Sequence, residues 1–243
     1  MSVKILLAAI NSKYIHMNPA VYSLRTYALG SGALNTENAE IAIAEYTINQ
    51  PVDEILGDLY EQKPDVIGFS CYIWNWQMTK ELMVEVKKLL PKTDIFLGGP
   101  EVSYEAEKIM EQYGRDDAEN GNGPVIRGII LGEGEKTFCE LVEYYAEEGC
   151  LPGKRCPKQD DGCYPDIQES GRKSSAGAAD RGRMLKDIPG LLLDTGYTGV
   201  REPLSFSEIP FLYEEQRLSG KGLQDFRNKI IYYESSRGCP FRC

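Results

Sequence analysis

The sequence contains no apolar run long enough to cross a membrane, no secretory leader, and too few basic residues to balance its acids. Each absence removes a class of function. The apolar stretch at the N-terminus, Val3 to Ile10, has the length of a strand, well short of the roughly 20 residues a spanning helix needs. The first ten residues, Met-Ser-Val-Lys-Ile-Leu-Leu-Ala-Ala-Ile, run into a polar loop without the basic start and cleavage pattern of a signal peptide. The seven cysteines therefore read as core residues or metal ligands in a reducing, cytoplasmic compartment. A formal net charge of -10, from 27 Lys and Arg against 37 Asp and Glu, argues against a broad phosphate-binding surface. Neither nucleic acid nor a membrane is the expected partner.

Three nucleotide and signalling motifs are missing too. A dinucleotide site wants Gly-x-Gly-x-x-Gly directly after the first strand, and Ile10-Asn-Ser-Lys-Tyr-Ile-His16 holds no glycine. Gly132-Glu-Gly-Glu-Lys-Thr137 ends like a P-loop but lacks its spacing, and its two carboxylates would repel phosphate. A receiver domain would place acids near Asn11 and Cys71, where neither residue is acidic.

What is present is a regular alternation of strand and helix. With 243 residues and 42% hydrophobic content the chain can build a normal core. Strands are expected at Val3–Ile10, Glu40–Ile48, Asp65–Tyr72, Asp94–Leu97 and Val125–Leu131. Helices are expected from Pro19 to Ala28, from Pro51 through Leu59, over Trp76–Leu90, over Tyr104–Tyr113, and along Phe138, Leu141, Val142 and Tyr145. This pattern predicts an α/β fold, a doubly wound, mostly parallel five-stranded sheet of flavodoxin-like or Rossmann-like type, over residues 1–149. Residues 150–183, rich in Gly, Ser, Lys, Arg and Asp, read as a flexible insertion or linker. Residues 184–229 read as a hairpin turning at Asp194–Gly196 followed by a connecting arm, and residues 230–243 as a last strand entering a cysteine loop.

In such a sheet, ligands bind outside the carboxyl ends of the strands. The candidate cofactor-binding residues there are Asn11, Tyr14 and His16 after the first strand, Ser70, Cys71 and Tyr72 after the third, Gly98, Gly99, Pro100 and Glu101 after the fourth, and Gly132, Glu133 and Gly134 after the fifth. The glycines either let a large ligand approach the main chain or make tight strand-to-helix turns. Trp74 and Trp76 flank the same rim, or pack between helix and sheet. Glu101, Glu133 and Glu135 accept bonds from a ligand or cap helices. At the C-terminus, Cys239 and Cys243 are either free thiols or two ligands of a metal centre that needs at least a third.

Arg237-Gly-Cys-Pro-Phe-Arg-Cys243 resembles the opening of the Cys-x-x-x-Cys-x-x-Cys motif of radical S-adenosylmethionine (SAM) enzymes, ending three residues before its third cysteine. The N-terminal portion, through Ile67-Gly-Phe-Ser-Cys-Tyr72, Phe96-Leu-Gly-Gly-Pro-Glu101 and Leu131-Gly-Glu-Gly-Glu135, resembles the cobalamin (B12)-binding domain that precedes the barrel in one class of these enzymes. The resemblance implies a cobalamin-binding module, inactive alone, of a parent that is a methyltransferase or related radical enzyme. It further implies that Cys239 and Cys243 hold a [4Fe-4S] cluster that binds SAM in the complete protein, and that the missing barrel is the module's partner. Ser70 and the Gly98-Gly99 pair would border the slot for the cobalamin nucleotide tail, and Gly132 to Glu135 the far side of the corrin. The sequence departs from the Asp-x-His-x-x-Gly pattern that puts a histidine on cobalt. His16, the only histidine, lies in the corresponding loop, but its spacing favours a role in loop packing. Two alternatives stay open: an α/β module for a non-corrin small molecule or a protein partner, and a zinc or redox protein using the terminal cysteines.

Overall fold

The structure is a computed structural model that describes residues 2–30, 38–115, 123–147, 184–214 and 226–237. The N-terminal strand β1 (Val3–Asn11) is buried at every position but Lys4. Its two faces enter different cores. Ile5, Leu7 and Ala9 join one apolar cluster, while Leu6, Ala8 and Ile10 join the other. Burial on both faces is what a parallel strand between two helical layers requires, and it explains the unbroken apolar run.

The chain continues through α1 (Pro19–Gly30), β2 (Ala39–Thr47), α2 (Val52–Gln62), β3 (Val66–Ser70), α3 (Trp76–Leu89), β4 (Asp94–Gly98), α4 (Pro100–Ser103), α5 (Ala106–Tyr113), β5 (Gly128–Ile130) and α6 (Glu135–Ala146). The sheet order is β2-β1-β3-β4-β5, all parallel, so the strand order reverses at the β1/β3 boundary. Helices α1 and α6 lie against one another on one face, and α2 and α3 pack together on the other. The expected α/β architecture is present, with differences in detail. The sheet has seven strands instead of five, because the hairpin of β6 (Leu191–Leu193) and β7 (Gly196–Tyr197) adds antiparallel to β5, with Ile129 opposite Leu192. The helix expected over Tyr104–Tyr113 is α5, and a short helix that was not expected, α4, precedes it from Pro100, where proline suits a first turn. Ile230 to Tyr233, expected as a strand, belongs to no ladder of the sheet. The cysteine-bearing insertion expected over 150–183 lies outside the described residues.

Two devices shape the carboxyl end of the sheet. Asn75, fully buried, closes the turn from β3 into α3: its Nδ2 donates to the carbonyls of Ile10 (3.0 Å) and Ser70 (2.9 Å), and its Oδ1 accepts from the Tyr72 N–H (2.8 Å). Gly99 crosses directly over this turn. Its φ is +111°, and an added Cβ would stand 2.4 Å from the Cys71 carbonyl oxygen.

The second half of the chain is strapped onto the same end. Tyr213 donates its hydroxyl proton to the Tyr232 carbonyl (2.7 Å), and its ring packs with Met17 and Phe226. The Ile230 N–H donates to the Ile15 carbonyl at 2.7 Å. Beneath this strap Glu45 on β2, with a side chain only 10% exposed, collects four donors: Asn11 Nδ2 (2.9 Å), the Asn18 N–H (2.8 Å), the Tyr22 hydroxyl (3.0 Å) and Lys229 Nζ (2.8 Å). Burial alone would raise the Glu45 pKa, but the bonds from Lys229, Asn11 and Asn18 outweigh it and hold the carboxyl below its usual range.

Two predictions follow from these contacts. Gly99→Ala loses at least about 2 kcal/mol in urea unfolding, since it combines an unfavourable φ with a backbone clash. Gly98→Ala, whose methyl would sit 3.8 Å from Ile130 Cβ, loses less than about 1 kcal/mol. Because the folded Glu45 pKa is depressed, its contribution is present above the unfolded carboxylate pKa and is lost as pH falls through the folded value. Glu45→Gln should therefore cost about 1–3 kcal/mol at pH 7, with the difference from wild type shrinking as unfolding is measured at progressively more acidic pH.

Candidate functional site

A cavity of about 1070 Å³ opens at the carboxyl end of the sheet between the N-terminal halves of α1 and α6. Its floor is apolar, built from Ile5 and Leu7 of β1, Val66 and Gly68 of β3, Phe96 of β4 and Ile130 of β5. Val21 and Leu24 of α1 face Phe138 and Leu141 of α6 across it.

The mouth is made of the turns that follow the strands. Ser70 and Tyr72 after β3, Gly98, Gly99 and Pro100 after β4, and Gly132, Glu133 and Gly134 after β5 all line it. Of the thirteen residues singled out for this role in the sequence, these eight are brought together. The other five are not part of the wall. Asn11 is buried and committed to Glu45 and the His16 carbonyl. Tyr14 is 65% exposed and does not line the cavity. The His16 Nδ1 lies 2.5 Å from the Tyr232 hydroxyl, so the ring packs against the strap. Cys71 is fully buried under Gly99, and burial pushes its thiol up to about 12, which keeps it neutral and unreactive. Glu101 sits in the first turn of α4. Trp74 stacks on Tyr72 with centroids 4.5 Å apart, and Trp76 takes the Lys80 ammonium over its face at 5.5 Å.

The chain's later segments supply a roof that periodicity could not announce. Phe206, Ile209, Pro210, Phe211, Leu212 and Tyr213 border the cavity on one side. Tyr232 to Arg237 border it on another. The charged groups at this rim are satisfied among themselves. Glu133 accepts from the Leu204 N–H at 2.9 Å. Glu135, buried, accepts from Ser23 Oγ and from Arg237 Nη1, both at 2.7 Å. Glu234 accepts from Arg237 Nε and Nη2 at 3.0 and 2.9 Å, and that pairing lowers its pKa while raising that of the guanidinium. Neither Glu133 nor Glu135 thus acts as a simple helix cap. The arrangement suits a large ligand that is neutral where it enters, with amide or hydroxyl groups at the rim.

Cys239 and Cys243 lie outside the described residues. Among the described residues no group of three or more His, Cys, Asp or Glu is placed to hold a metal ion, and no helix is long and apolar enough to cross a membrane.

Comparison with known proteins agrees with this geometry. Over 125 residues, 49% of this chain, it is 30% identical to the cobalamin-dependent radical SAM methyltransferase TokK of Streptomyces tokunonensis. Over the same length it is 27% identical to the 2-(S-pantetheinyl)-carbapenam-3-carboxylate methyltransferase of Streptantibioticus cattleyicolor. Each alignment spans only 15% of the relative. Among solved structures, the cobalamin-dependent S-adenosylmethionine radical enzyme OxsB superposes with a TM-score of 0.53 at 16% identity, covering 86% of this chain and 24% of that one, a likeness of fold. The family model for the B12 binding domain matches residues 8–142, more than half of the chain and most of the sheet-and-helix unit around the cavity, and the chain belongs to that family.

Proposed function

We propose that this chain binds cobalamin with the nucleotide tail in the cavity between α1 and α6 and the corrin across the mouth formed by the turns after β3, β4 and β5. The observation that carries the reading is the cavity itself: an apolar shaft of about 1070 Å³ whose mouth exposes main chain at Gly98, Gly99 and Gly132. The residues present fit the group. The tail ends in a flat, uncharged aromatic base, which matches a floor of aliphatic and aromatic side chains. The corrin carries amide side chains, which match the hydroxyls and carbonyls of the rim. Close approach is possible over Gly99, where no Cβ stands. When bound, cobalamin supplies a cobalt centre able to carry a methyl group. This chain's residues bind, orient and shield it. Ser70 and the Gly98-Gly99 pair border the tail, and Gly132, Glu133 and Gly134 the far side of the corrin. His16 is not among the residues lining the cavity, and its ring packs on the Tyr232 hydroxyl through Nδ1.

The broader reading is that the chain is the cobalamin-binding part of a longer radical SAM methyltransferase or related radical enzyme. Its support is the similarity to such methyltransferases and the Cys239-x-x-x-Cys243 spacing, which supplies two thiolates toward a [4Fe-4S] cluster for SAM. Arg237, two residues before Cys239, is ion-paired with Glu135 at the cavity rim, so the chain enters the cysteine segment beside the cofactor site. A module for protein interaction is disfavoured, because the side chains of the described residues do not fill the glycine-lined mouth.

The test is a titration of the purified chain with hydroxocobalamin, following corrin absorbance and retention through a desalting column. About one equivalent retained is expected. Leu24→Trp, which puts an indole into the cavity wall, should weaken binding by about tenfold or more without unfolding the chain. Failure of the wild-type chain to retain cobalamin at tens of micromolar would overturn the reading.

A further inference from the structure

Asn18 is 4% exposed and does not line the cavity, yet its side chain is fixed at both ends. Its Oδ1 accepts the Ala20 N–H at 3.1 Å, capping α1. Its Nδ2 lies 3.0 Å from Ser70 Oγ, and its backbone N–H is held by Glu45 at 2.8 Å. The cap decides the direction of the second bond. A backbone N–H can only donate, so the atom facing it is the amide oxygen, and the atom facing Ser70 is the NH₂ group, which also can only donate. Ser70 Oγ is thereby made an acceptor toward Asn18, and its own proton has to point elsewhere. Burial raises the Tyr72 pKa and its contact with Ser70 opposes that rise, so the two side chains meet at the mouth. Both Ser70 and Tyr72 line the cavity mouth.

We propose that Asn18 is a positioning residue that fixes the Ser70 hydroxyl as a hydrogen-bond donor toward the cavity, selecting ligands whose buried end carries an uncharged acceptor. The inference rests on the cobalamin reading, in which the acceptor is the free ring nitrogen of the tail base. Glu45 and Lys229 act one step further out, by holding the Asn18 backbone in place.

Asn18→Asp tests this with little change of shape. Aspartate caps α1 as well as asparagine does, but it turns the oxygen facing Ser70 into an acceptor that captures the proton. Affinities for hydroxocobalamin, and for cobinamide, which lacks the nucleotide and its base, are measured on the full chain for wild type, N18D, S70A and the double variant. N18D and S70A should each weaken cobalamin binding by about tenfold. The double variant should bind no more weakly than S70A, and cobinamide affinity should stay unchanged throughout. Equal weakening for both corrinoids, N18D and S70A losses that simply add, or wild-type cobalamin affinity in N18D would each overturn the role of Asn18 while leaving cobalamin binding intact. A wild-type chain that binds neither corrinoid overturns the underlying reading instead. Should thermal unfolding show N18D unfolded, Asn18→Ser, which keeps a cap and leaves Ser70 free to rotate, carries the same comparison with a smaller loss.

Discussion

A parallel sheet has to be covered on both faces, and here one face is covered by two helices whose N-terminal halves leave a gap between them. Helix α1 leaves β1 and α6 leaves β5, on opposite sides of the order reversal, and they meet along their length on the same face. Between their first turns the floor of β3 and β4 stays open to the carboxyl end of the sheet. Everything distinctive about the site descends from that geometry. The floor is apolar because it is core, and the mouth is rich in glycine because three strand-to-helix turns crowd around it. The charged groups stand at the rim because only there can they meet each other and solvent.

The gap would be a liability without the segments that follow the sheet. Phe211, Leu212 and Tyr213 come over one side, and Tyr232 to Arg237 over another. Both are tied down by polar contacts to the loop after β1, with Glu45 as the buried hub. A carboxylate so placed is stable only while its donors are present, and one of them, Lys229, lies 184 residues away in sequence. The strap, the β1–α1 loop and the Asn18 cap therefore depend on each other. The hairpin exit is held similarly, by a bidentate Arg201–Glu140 pair at 3.1 and 2.8 Å against α6.

How much of this was legible in the sequence depended on whether the cause was local. The five parallel strands could be read because burial on both faces leaves an unbroken apolar run, as in Val3 to Ile10. The ligand end of the sheet could be read because the turns there demand backbone freedom, as at Gly99. The hairpin was visible as a hairpin, but its addition to β5 was not, since the pairing of Ile129 with Leu192 leaves no mark on either segment. Pro100 looked like part of a turn and is the first residue of a helix. The aromatic roof lacked any period, and its burial is purely tertiary. Glu45 falls within the strand expected at Glu40–Ile48, and only the distant strap makes its carboxylate internal. His16 left two roles open, and the contact with Tyr232 favours packing.

The central claim is that the cofactor's tail leaves cobalt and enters the cavity. The most direct measurement is the electron paramagnetic resonance spectrum of the chain loaded with cobalamin reduced to Co(II), where an axial nitrogen splits each cobalt line into a triplet. The account predicts lines without nitrogen splitting, because the tail base is buried between α1 and α6 and His16 lies outside the cavity wall. A triplet that persists in His16→Ala would show the base still on cobalt and outside the cavity, contradicting the account.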